Sequence, residues 1–92
     1  MKKLIGNLRI RPNPGSESLG PHYEIDFMPY IGKLNTQTVR VKTYDDLVEF
    51  LINLRISEEE ATRWAGRARN DVILISSLER TEDELKDCGL LE

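Results

Sequence analysis

The sequence predicts a small α+β fold in the order β-β-β-α-α-β-α, with a mostly antiparallel sheet of about four strands and helices packed on one face. Three observations lead there. Alternation with period two fills much of residues 3–43. Capped stripes with helical period fill much of residues 43–89. One unbroken apolar run, Val72-Ile73-Leu74-Ile75, interrupts that helical half.

The first strand runs over 3–11, with Leu8 and Ile10 on one face and Arg9 and Arg11 on the other. Pro12 is expected to stop it, because proline cannot donate to a ladder. Residues 12–21, rich in Pro, Gly, Ser and Asn, read as a long flexible loop. The second strand, 22–31, places Tyr23, Ile25 and Phe27 on one face and Glu24, Asp26 and Met28 on the other. Pro29 weakens its end. A turn at 32–35 leads to a third strand over 36–43, with Val39 and Val41 inward and Arg40 and Lys42 outward. If the three strands form a meander, Glu24 and Asp26 lie between Arg9 and Arg11 on one side and Arg40 and Lys42 on the other, a ladder of opposite charges.

Thr43 caps the first helix, whose stripe is Leu47, Val48, Phe50, Leu51 and Leu54. Ser57 with Glu60 has the spacing of a capping box for the second, and Ile56 before it can staple onto Ala61. The second stripe is Ala61, Trp64, Ala65 and Ala68, so Trp64 is its one large anchor and should be at least half buried. The run over 71–78 reads as an inner strand covered on both faces, because it lacks alternation. Thr81 and Glu84 box the last helix, and Gly89 ends it in a left-handed cap on which Leu90 packs back. The ten residues Thr81-Glu82-Asp83-Glu84-Leu85-Lys86-Asp87-Cys88-Gly89-Leu90 resemble the closing helix of sterile alpha motif domains, with Cys88 where that family prefers a large aliphatic residue. An all-helical fold does not fit the strand-like first half, and no family is assigned on this stretch.

Ninety-two residues with 39% apolar and 32% charged content are read as one domain spanning 1–92, with a modest core and a soluble surface. Cys88 is the only cysteine, which excludes an intramolecular disulfide and a cysteine zinc site. Met1-Lys2-Lys3 starts like a signal peptide, but no apolar core follows. No stretch is long enough for a membrane helix, so no membrane partner is expected and a cytoplasmic location is the default. Residues 1–43 carry seven Lys and Arg against three Asp and Glu, a balance of +4. Residues 44–92 carry six against thirteen, a balance of -7.

Catalysis needs a base, an activated nucleophile or a metal. The only histidine, His22, and the only thiol, Cys88 at a helix C-terminus, do not supply these. The carboxylate clusters at 45–46, 58–60 and 82–84 sit in first helical turns, where caps and the helix dipole account for them. No enzyme activity and no cofactor are expected. The expected function is a small non-catalytic protein-binding or regulatory module with a protein partner, acting as a monomer or as a homodimer through a sheet edge. The alternative is a nucleic-acid-binding domain using the basic sheet face and the second helix. The candidate partner-binding residues are Arg9, Arg11, Arg40, Lys42, Tyr30, Arg63, Trp64 and Arg67.

Overall fold

Strand alternation and helix caps resolve into seven elements in the computed structural model, which describes residues 2–32 and 34–92. Met1, at the signal-like start, and Lys33, in the expected turn at 32–35, lie outside the described residues. In chain order the elements are β1 (Lys3–Asn13), β2 (His22–Pro29), β3 (Val39–Val41), α1 (Tyr44–Asn53), α2 (Glu58–Arg67), β4 (Ile73–Thr81) and α3 (Glu82–Asp87). The fold is small α+β, β-β-β-α-α-β-α, with a four-stranded antiparallel sheet in the spatial order β3-β2-β1-β4.

Leu4, Leu8 and Ile10 of β1, Ile25 and Phe27 of β2, and Ile73, Ile75 and Leu78 of β4 line one face of the sheet. Leu47, Phe50, Leu51 and Leu54 of α1 join them in one core, with Ala61 and Ala65 of α2, Ala68 beyond its end, and Leu85, Leu90 and Leu91 at the C-terminus. The helices therefore lie on one face, as the stripes predict. The alanines have no exposed surface, and their small side chains let α2 approach α1 closely.

The caps follow the sequence closely. Thr43 accepts a hydrogen bond from the Asp46 amide at 3.0 Å, and Thr81 and Glu84 form the complete reciprocal box. Ser57 accepts from the Glu60 amide, but Glu60 does not reach back, so only half of the expected box forms there. Gly89 has φ +83, and the Leu90 and Gly89 amides donate to Leu85 and Lys86, closing α3 in a Schellman turn. Arg55 takes the same left-handed role after α1 with φ 65, a conformation that disfavours a side chain. Arg80 of β4 compensates there by donating from Nε to the Leu54 carbonyl at 2.7 Å and from a terminal nitrogen to the Arg55 carbonyl at 3.2 Å.

Besides β2, which stops at Pro29 rather than at 31, and β4, which runs over Ile73–Thr81 rather than 71–78, four expectations are corrected. Pro12 does not end β1, which continues to Asn13. β4 ends level with Ile10, so at Pro12 the strand has only β2 as neighbour and a residue without an N–H is tolerated. The connecting loop is accordingly 14–21. The third strand shrinks to Val39–Val41, because Thr36 and Gln37 bond to the C-terminal tail instead: Thr36 bridges Leu91, and the Gln37 amide donates to the Leu90 carbonyl. α2, for which the sequence suggests an end at Arg69-Asn70, stops at Arg67. The fourth correction is the largest. The run at 72–75 is an end strand with one free edge, and Val72 and Leu74 are 59% and 53% exposed while Ile73 and Ile75 are buried. The run alternates in burial although not in polarity, so absence of polar residues does not imply cover on both faces.

Candidate functional site

The charged face of the sheet has the predicted register. Arg9 stands opposite Asp26, and Glu24 stands between Arg11 and Arg40. Arg9 reaches Asp26 at 3.0 Å, Arg11 reaches Asp26 at 3.1 Å and Glu24 at 3.6 Å, and Arg40 reaches Glu24 at 3.5 Å. The carboxylates lie beneath the guanidinium groups, with their side chains only 14–15% exposed. At Glu24 the hydrogen bond from Asn13 lowers the pKa. Burial opposes it, and Arg11, Arg40 and His22 lower it further, so it sits below the usual carboxylate range. At Asp26 burial pushes upward, but hydrogen bonds from Thr38 and Arg9 with the fields of Arg11 and Arg9 outweigh it, and the net displacement is also downward. Three of the candidate cations, Arg9, Arg11 and Arg40, thus form an internal ladder. Their charge is spent on two carboxylates, and each exposed pair contributes a few tenths to about 1 kcal/mol.

Lys42 stands apart from the ladder, beyond β3. It lines a 350 Å³ cleft with Pro12, Pro14, Pro21, His22 and Arg69. The guanidinium of Arg69 stacks over the Tyr44 ring at 4.2 Å from its centroid. His22 is buried, with Nδ1 2.9 Å from the Gly20 carbonyl and Nε2 3.9 Å from a Glu24 oxygen, so it holds the loop to the strand.

Tyr30 follows β2 on the exposed face, at an irregularity that the sequence did not signal. Asn7 of β1 faces two residues of β4, Ser76 and Ser77, in a bulge where Ser77 has φ 56. The Tyr30 hydroxyl donates to Asn7 Oδ1 at 2.6 Å and accepts from the Ser77 amide at 3.0 Å, which pins the bulge across three strands. Ile5, Tyr30, Ile31 and Leu34, rimmed by Lys2 and Lys3, form a shallow apolar basin of 460 Å³ beside it.

Arg63, Trp64 and Arg67 belong to a fourth region, the flank of α2. Arg63 is exposed. Trp64 is partly buried against the core, as expected. Glu60, Trp64 and Arg67, at i, i+4 and i+7, share one stripe of the helix. With the Val72–Ser76 segment they line a 460 Å³ groove that runs along the free edge of β4. The candidate residues therefore do not converge on one site: they divide among a satisfied ladder, a proline-lined cleft, a pinned bulge and an edge groove. The groove is what residue-by-residue reading missed. Its signal is the uncharged run at 72–76, present in the sequence but assigned there to a covered strand.

Among the described residues, no group of three or more His, Cys, Asp and Glu is placed to hold a metal ion, and no helix is long and apolar enough to cross a membrane. Burial, with Asp87 and Glu84 nearby, pushes the Cys88 thiol upward, which disfavours the thiolate. Comparison with protein-family models, with curated proteins and with solved structures gives no match.

Proposed function

We propose that this protein is a non-catalytic binding module that captures an extended segment of a protein along the free edge of β4. One observation carries the reading: β4 ends the sheet, and its first four residues with Val72 before them form a run, Val72–Ser76, without a charge or a proline, beside a groove walled by Trp64. An end strand offers unpaired N–H and C=O groups, and a strand added there gains main-chain hydrogen bonds while side-chain pockets choose the sequence. Proteins usually blunt such an edge with charge, proline or a covering loop. Here the blunting begins only at the Ser76-Ser77 bulge and at Glu79 and Arg80 beyond it. Trp64 and Arg67 supply residue types enriched in interface hot spots.

Selection of a displayed random-peptide library on the purified chain, followed by counter-selection on Leu74→Lys, tests the reading. Enriched peptides should alternate apolar residues and lose binding to Leu74→Lys, which places a charge on the edge from an already exposed position. Titration with single- and double-stranded oligonucleotides at two salt concentrations tests the nucleic-acid alternative. Salt-steep binding that Arg67→Glu abolishes, with no peptide enriched, would replace the protein-binding reading.

A further inference from the structure

We infer that the segment received on the β4 edge is β4 of a second copy of this chain, so that two sheets join across a two-fold axis into one of eight strands. The inference rests on the docking edge proposed above and identifies its occupant.

The two ends of the sheet are treated differently. β3 has three residues, Arg40 exposed at its centre and Lys42 just past its end. The chain before it is already bonded to the C-terminal tail through Thr36, Gln37 and Asn35. Among the described residues, none of these protections covers Val72–Ser76. Antiparallel pairing of this segment with itself, centred on Leu74, sets Ile73 against Ile75 of the second copy and Leu74 against its own equivalent. Every apolar residue from 73 to 75 then meets an apolar residue, and the exposed Leu74 gains a neighbour on the open face. The pairing stops by itself, since Asp71 precedes the run and the bulge at Ser76-Ser77 interrupts it.

The charges on the groove wall favour the same symmetry. Glu60 and Arg67 are seven residues apart on one stripe of α2, roughly 10 Å along the helix axis. The Val72–Ser76 segment spans roughly 13 Å. A two-fold axis reverses the groove end for end, which brings the Glu60 end of one copy to the Arg67 end of the other. A wall carrying one acidic and one basic residue, with Trp64 between, is therefore complementary to itself. The Arg–Glu–Asp ladder on the open face beside Leu74 pairs its arginines with Glu24 and Asp26 of the same chain.

Sedimentation equilibrium of the full chain, from low to several hundred micromolar, reads the proposal directly. The wild type should form a dimer and no larger species. Leu74→Lys should raise the dimer dissociation constant at least about a hundredfold, because the symmetric register sets the two lysines against each other. Arg67→Glu should weaken the dimer about fivefold, and Glu60→Arg with Arg67→Glu should restore it. In a Cys88→Ser background, Leu74→Cys should oxidise to a disulfide-linked dimer. Paired residues on neighbouring antiparallel strands have Cα atoms about 4.5–5.5 Å apart, within disulfide reach. Glu79→Cys, beyond the bulge, should stay monomeric under the same oxidation. A wild type that is monomeric throughout overturns the inference, as does a dimer that Leu74→Lys leaves intact. If that monomer still binds the selected peptides at the edge, the second copy is excluded and the docking edge stands. If it binds neither, both readings fall.

Discussion

Replacing Trp64 with alanine separates the two roles of that side chain, as the anchor of α2 and as the wall of the groove. The remaining stripe of α2 consists of Ala61, Ala65 and Ala68, fully buried but small, so the helix has little else with which to hold the body of the protein. Truncating a well-buried aromatic to alanine costs about 3–5 kcal/mol. Trp64 keeps part of its surface in the groove, which reduces the expected loss to about 2–3 kcal/mol. In a chain of this size each kcal/mol moves the melting temperature by about 4–8 °C, so Trp64→Ala should melt about 10–20 °C lower. Far-ultraviolet circular dichroism during heating measures it. The comparison belongs in a Leu74→Lys background, since self-association would add concentration-dependent stability to the parent. A melting temperature within about 2 °C of the parent would refute the anchor role and make Trp64 a purely external groove residue. Intrinsic fluorescence gives an independent reading, because a partly buried Trp64 should emit blue of the unfolded chain.

Three further outcomes follow from named contacts. A Cβ built on Gly6 would clash with the Met28 carbonyl oxygen and lie 2.8 Å from the Phe27 ring, so Gly6→Ala must push β2 away from β1 and should cost about 3 kcal/mol or fail to fold, read by urea unfolding. Arg80→Ala removes the donors on the Leu54 and Arg55 carbonyls just after α1 and should cost about 1–2 kcal/mol by the same assay, with the amides of 52–56 showing faster hydrogen exchange. The ladder carboxylates are displaced downward in the folded state, so their stabilisation is complete above the ordinary carboxylate value of about 4 and is lost as pH falls through their lower folded values. The wild type should therefore lose melting temperature on acidification more steeply than Glu24→Gln/Asp26→Asn, and parallel curves would refute the ladder.

The elements and their faces were legible because they depend on residues near in sequence. Alternation in β1 and β2 named Leu8, Ile10, Ile25 and Phe27 as inward, the helical stripes named the faces of α1 and α2, and the Thr43, Thr81 and Gly89 caps marked helix ends. Even the charge ladder was readable, since a meander of consecutive strands fixes which residues become neighbours. The position of β4 was not. Whether an apolar run pairs on one side or two depends on which strands the rest of the chain leaves beside it, and Val72–Ile75 carries the same letters in either case. The bulge at Ser76-Ser77 arises only where β1 and β4 meet, and Gly6 is required only because Met28 crosses so near. The edge groove arises because β4 pairs with β1 on one side and, among the described residues, no strand pairs with its other side. Local sequence determined what each segment is, and only the tertiary arrangement, through long-range pairing, decided which edge stays open.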